Sequence, residues 1–299
     1  MSKNSIEQKP LESAIFAALH RAIAHRQFNN ERFGPDYLAE SFLPYHIKFL
    51  VKFNMIRAII KKRLNQYLPG VYEYMIARTA CFDDHFIDAL NNRIPQIVLL
   101  GTGFDSRPYR FEKLNRGTKI IELDIAPTLN RKTNCLKKAR IDIPEHVSFV
   151  PIDFDKESLP AVLKKAGFDT HKRTLFLWEG VSYYLEQESV NTMLEFVSHS
   201  AQNSIILFDY IISIPEENRT EYYGVKKLFQ TMKKHHPDEE LKFTIDEGKE
   251  ESFLAQRRLK MVDHLDNDDI ERTLLLNENG SLTGKVTGHF RLVSASPNI

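Results

Sequence analysis

The chain has 299 residues, with 41 Lys and Arg against 40 Asp and Glu and a formal net charge of +1. A near-neutral balance of scattered charges removes the electrostatic case for a general nucleic-acid binder. At 42% hydrophobic and 27% charged residues the composition is that of a folded protein, neither disordered nor fibrous.

The opening MSKNSIEQKP is polar and lacks the apolar run of an export signal, which points to the cytoplasm. Residues 1–91 are expected to form a helical cap, because Ile15, Leu19, Ile23 and then Phe53, Ile56, Ile60 recur at three- and four-residue spacing. The stretch from Phe42 to Ile60 is broken by His46, Lys48, Lys52, Asn54 and Arg57, whereas a bilayer span needs roughly 20 apolar residues. It reads as a helix of a soluble protein, and no membrane partner is expected.

From Gln96 the pattern changes to short apolar runs: IVLL at 97–100, KIIEL at 119–123, VSFVPI at 147–152, TLFLW at 174–178 and SIILF at 204–208. Continuous rather than alternating apolarity marks strands covered on both faces, and the intervals leave room for crossover helices. Residues 96–213 are therefore expected to form a doubly wound α/β core. The charged and aromatic 214–250 segment, with EENRTEYYG and KKHHPDEE, reads as a lid or insertion, and its Tyr222, Tyr223 and Phe229 as candidate lining of an acceptor pocket. Residues 251–299 resume with a helical EGKEESFLAQRRL, a strand around KMVDHL, a helix DDIERTLLL and a final strand GHFRLVSA. The sum is one domain over 1–299 with a mostly parallel seven-stranded sheet, antiparallel near one edge.

Cys81 and Cys135 have no short spacing and suggest neither a disulfide framework nor a zinc site. The 11 histidines show no HExxH or similar pattern, so no metal is expected. His20, His25, His46 and His85 read as surface or satisfied helix residues.

The strongest local signal is VLLGTGFDSR at 98–107, a strand entering a Gly-x-Gly turn at Gly101 and Gly103. Glycines there let the chain turn sharply and let a ligand approach the backbone. The dinucleotide fingerprint requires a third glycine where Ser106 stands, which disfavours a pyrophosphate and hence a nicotinamide cofactor. The second strand ends in Glu122 and Asp124, about 20 residues on, where a carboxylate can accept from ribose hydroxyls; Asp124 is the better placed. The third ends in Asp153 and Phe154, able to bond and stack an adenine. The fourth ends in Trp178, Glu179 and Gly180, with Trp178 read as core. Four successive strands thus deliver candidate ligand groups at the edge where open α/β sheets bind.

Three motifs carry a resemblance: ART at 77–79 followed by FDD at 82–84, LLGTGFDSRPYR at 99–110, and WEGVSYYL at 178–185. With them the chain resembles the leucine carboxyl methyltransferase family of class I methyltransferases, over roughly residues 30–295. The resemblance implies S-adenosyl-L-methionine as cofactor. It implies that Arg78 holds the methionyl carboxylate, Gly101 and Gly103 border the methionyl part, Asp124 takes the ribose and Asp153 with Phe154 the adenine. Glu179 sits beside the cofactor and Tyr184 near the methyl group. Asp105 and Arg107 belong to the signature and read as braces of the loop. The resemblance further implies O-methylation of a small-molecule carboxylate or hydroxyl, or alternatively of a protein C-terminus. A module that binds the cofactor without turnover is the rival from another class. A carboxylate acceptor is already ionised at pH 7, whereas a phenol would need a base; no base motif is evident, and a desolvated histidine such as His46 or His85 is the alternative that would serve a hydroxyl.

Overall fold

The computed structural model describes residues 3–28, 36–154, 156–235, 241–277 and 279–298. The cap is built from α1 (Lys3–Phe28), α2 (Tyr45–Leu50), α3 (Asn54–Tyr67) and α4 (Val71–Asn91). The core follows as β1 (Gln96–Leu100), α5 (Arg107–Arg110), β2 (Lys119–Asp124), α6 (Ala126–Ala139), β3 (Val147–Pro151), α7 (Leu159–Lys165), β4 (Thr174–Trp178), α8 (Gln187–Ser198) and β5 (Ile205–Ile211). Then come α9 (Val225–His235), α10 (Glu250–Ala255), β6 (Leu259–Leu265), α11 (Asn267–Leu274) and β7 (Phe290–Pro297).

The seven strands form one sheet in the order β3-β2-β1-β4-β5-β7-β6. Strands β1 to β5 pair in parallel, and β7 runs antiparallel to both β5 and β6. All five expected core strands and both later ones are present. The strands are apolar on both sides because both sides are covered. Ile97, Leu99, Ile120 and Leu177 face a core shared with α1, α4 and α11, while Val98, Leu100, Ile121, Phe176 and Trp178 face one shared with α7 and α8. Strand order reverses between β1 and β4, so the glycine turn after β1 opens at the switch point where such sheets bind ligands.

One cap expectation is corrected. The Phe42–Ile60 stretch is not a single helix: α2 stops at Leu50, Phe53 is extended (φ −93°, ψ 122°), and α3 starts at Asn54. The Arg57 guanidinium donates to the Val51 carbonyl at 2.6 Å, closing the end of α2 that the break exposes. Within 214–250, α9 is tied to the cap by Thr231 Oγ1 donating to the Tyr67 carbonyl at 2.7 Å. Residues 236–240 of KKHHPDEE lie outside the described residues.

Candidate active site

Both glycines of the turn are left-handed, Gly101 at φ +65° and Gly103 at +49°, a conformation that costs other residues. A Cβ on Gly101 would come within 2.6 Å of a Val181 methyl, and one on Gly103 within 3.5 Å of the Ala14 Cβ on α1. The cap helix thus lies directly on the turn. Asp124 fastens the same turn from β2: its Oδ2 accepts from the Gly103 N–H at 2.7 Å and its Oδ1 from the Ile125 N–H at 2.8 Å. Burial pushes the Asp124 carboxyl up from its ordinary value, against those two N–H bonds. A carboxylate with two of roughly four lone-pair sites used retains room for further donors.

Beneath the turn, Glu122 is fully buried and wholly committed. It accepts from Tyr109 Oη at 2.7 Å and Thr102 Oγ1 at 2.8 Å, and pairs with the buried Lys132. That arrangement separates the two acids at the end of β2: Glu122 supports the loop and Asp124 stands at the rim.

The signature motifs converge in a buried chain of alternating charge. Arg21 on α1 pairs with Asp36 (2.8 Å), Asp36 with Arg110 (3.5 Å), Arg110 with Asp83 (2.8 Å) and Asp83 with Arg107 (2.7 Å). Arg107 continues to Asp105 (2.7 Å) and Glu179 (2.8 Å), Glu179 to Arg78 (3.0 Å) and Arg78 to Asp209 (2.8 Å). ART and FDD place Arg78 and Asp83 on one helix, GFDSRPYR supplies Asp105, Arg107 and Arg110, and WEG supplies Glu179. Arg107 also donates to the Thr79 carbonyl at 3.3 Å and sits over the Phe82 ring, so its guanidinium is engaged by protein groups. Ser106, where the dinucleotide motif would have glycine, accepts from Arg110 Nε at 2.8 Å. Burial opposes the charge of Glu179 and Asp105, but the neighbouring guanidiniums, Arg107 foremost, hold both below the usual carboxylate range.

This chain contains one more carboxylate than guanidinium. A buried cluster with a surplus negative charge is complementary to a cation, and S-adenosylmethionine, with its sulfonium, ammonium and carboxylate, carries one net positive charge. The donor set fits as well. Nε and Nη1 of Arg78 serve Glu179, Tyr183 and Asp209, and Nη2 is not among the donors of those pairs.

The expected residues fall into three groups. Arg78, Glu179 and the Gly180 backbone meet around Asp209, and Gly101, Gly103 and Asp124 form the turn. Asp153 and Phe154 stand at the outer rim after β3, where Asp153 accepts from Lys156 and half-buried Phe154 packs on the core beside α7. Ile152 N–H bonds to the Asp124 carbonyl, which keeps Asp153 next to the β2 terminus. Tyr184 is half-buried with its ring 4.8 Å from that of Tyr183.

Sequence reasoning missed Asp209, fully buried, which accepts from Tyr74 Oη (2.9 Å), Arg78 and the Gly180 N–H (2.6 Å). Its signal was an acid inside the apolar run IILFDYI. It also passed over Tyr183, whose hydroxyl lies 3.3 Å from Arg78 Nη1. His20 departs from the expectation of a surface or satisfied residue: it is fully buried, with Nδ1 on the Phe16 carbonyl at 2.7 Å and no hydrogen-bond partner for Nε2. Among the described residues there is no His, Cys, Asp and Glu grouping able to hold a metal.

The sheet order, the switch-point turn and the acidic strand ends are those of a class I methyltransferase. The family model for leucine carboxyl methyltransferase matches residues 14–198, and the chain belongs to that family; it is an S-adenosylmethionine-dependent methyltransferase. YktD of Bacillus subtilis (strain 168), assigned as an S-adenosyl-L-methionine-dependent methyltransferase, is 27% identical over 296 residues, covering 93% of this chain and 95% of its own. A relative with the same assignment from Mycobacterium tuberculosis (strain ATCC 25177 / H37Ra) is 31% identical over 166 residues, 55% of this chain and 52% of its own. Among solved structures, a methyltransferase assigned in Thermobifida fusca YX shares the fold, with a TM-score of 0.56 at 14% identity over 82% of this chain and 89% of that one.

Proposed function

We propose that the enzyme methylates an oxygen of a small-molecule acceptor, with a carboxylate as the preferred group. The cofactor, when bound, supplies an electrophilic methyl on a sulfonium; the chain's part is to bring an oxygen into line with it. In this reading Nη2 of Arg78 takes the methionyl carboxylate, Gly101 and Gly103 allow close approach, and Asp124 accepts from the ribose diol. Asp153 and Phe154 hold the adenine at the rim. Glu179 orients Arg78, and Tyr184 borders the acceptor.

The observation that favours a carboxylate is the state of the candidate bases. Glu179 is committed to two arginines, and burial followed by the Asp209 charge drives the Tyr74 and Tyr183 hydroxyls far above neutrality. An acceptor that arrives ionised needs none of them.

Calorimetric titration with S-adenosylmethionine, S-adenosylhomocysteine and NADH tests the cofactor assignments, and labelled methyl transfer to carboxylates and phenols tests the acceptor. Binding of the first two alone and a product that releases methanol in mild base are expected. A base-stable product would replace the carboxylate by a hydroxyl. Gly103→Val is expected to abolish binding, and Asp153→Ala to weaken it by about 1–3 kcal/mol. Unchanged affinity in a folded variant removes that residue from the site.

A further inference from the structure

The helices α2 and α3 lack the partner that their surface calls for. No residue of either is fully buried, and only a narrow apolar edge, Ile47 and Ile60 among it, packs part-buried on the core, although short helices in water ordinarily depend on packing an apolar face. Large apolar side chains instead point outward: Tyr45 is 85% exposed, Phe49 51%, Phe53 46% and Met55 74%, with Leu50 and Ile59 beside them. Scattered exposed apolar residues are normal, but a run of six within fifteen positions marks an interaction face. The charge of the same segment is one-sided. Residues 45–67 contain six Lys and Arg and no Asp or Glu, in a chain whose overall charge is only +1. Lys52, Lys62 and Arg63 are exposed.

We propose that this helix pair seats the enzyme on an anionic lipid surface. Exposed aromatic and aliphatic groups interleaved with cations along both helices match the chemistry of a bilayer interface. The apolar side chains enter the headgroup boundary while lysines and arginines meet lipid phosphates. No described helix is long and apolar enough to cross a membrane, so the association is peripheral. The chain is close to neutral as a whole, and it is the local surplus of cations that acts at this face. This inference does not rest on the acceptor assignment.

Sedimentation of the full chain with vesicles of phosphatidylcholine alone, or with about 30% phosphatidylglycerol, tests the proposal. Binding is expected only to the anionic vesicles, falling at least about tenfold between 0.1 and 0.5 M salt as screening shortens. Phe49→Ser with Phe53→Ser, and separately Lys62→Glu with Arg63→Glu, are each expected to lower partitioning at least about tenfold while cofactor binding is retained. Because Trp178 is the sole tryptophan and is buried, Met55→Trp provides a local probe whose emission shifts to the blue on anionic vesicles. Equal binding to neutral vesicles, no binding, or sedimentation without an emission shift would overturn the proposal. So would dimerisation abolished by the serine pair, which would assign the face to a second copy. All these readouts are independent of methyl transfer.

Discussion

Arg107 touches carboxylates from three segments at once: Asp83 on α4, Asp105 in the loop and Glu179 after β4. Removing one member of a buried ion pair leaves the others charged and desolvated, at a cost of about 3–5 kcal/mol. Arg107→Met is therefore expected to lower the unfolding free energy by about that amount, read as a shift of the urea midpoint. Arg107→Lys will not restore it, since an ammonium cannot reach three carboxylates in the fork geometry of a guanidinium. At this scale the sequence was legible where motifs carry the family resemblance, as ART and FDD do. It was silent where two equally plausible neighbours compete. Tyr183 and Tyr184 are adjacent in a single turn, and only packing decides that the first reaches Arg78. Asp209 was hidden because a strand buried on both faces shows no position reserved for an acid.

Among the elements, α1 bears directly on the glycine turn. Its Ala14 Cβ would be in van der Waals contact, at 3.5 Å, with a Cβ on Gly103, and Arg21 Nη2 donates to the Phe104 carbonyl at 2.7 Å. The helix lies against the glycine turn and is not a remote cap. Ala14→Phe is expected to keep the fold and raise the cofactor dissociation constant at least about tenfold, measured by calorimetry. A wild-type constant would place the ligand clear of α1. The strands were the most legible elements, because continuous apolar runs bounded by turns have one reading in a crossover fold. The break between α2 and α3 was not, since the interruption comes from one extended residue, Phe53, and a carbonyl closed by Arg57. We propose that 214–250 forms a wall of the acceptor pocket, because Phe243 and Ile245 are buried in it and Lys242 N–H bonds to the Tyr183 carbonyl.

For the molecule as a whole, two buried histidines contribute to the response to acid. Burial first, then Arg78 and Arg21 acting against the Phe16 bond, lowers His20 to about 4; burial and Arg291 lower His289 to about 3. The unfolded chain takes up these protons below about 6.5, and the native state does not until far lower. Stability is thus full above pH 6.5 and falls with acidification, by about 2 kcal/mol per histidine at pH 5. Urea unfolding at pH 7.5 and 5 checks this, and His20→Gln should reduce the difference by about 2 kcal/mol. The burial of His20 was unreadable beforehand because it depends on how α1 meets Tyr72 of α4, a contact between segments far apart in the chain. The sheet order has a consequence for synthesis. Strand β7 is the last of the seven, yet it lies inside the sheet, and its Leu292 is registered against Asp209. A nascent chain still lacking residues 290–297 presents β5 and β6 with unpaired edges, the surfaces most prone to intermolecular pairing. The newborn polypeptide therefore cannot close its sheet until the last stretch is made, when the final strand takes its place between two that were synthesised before it.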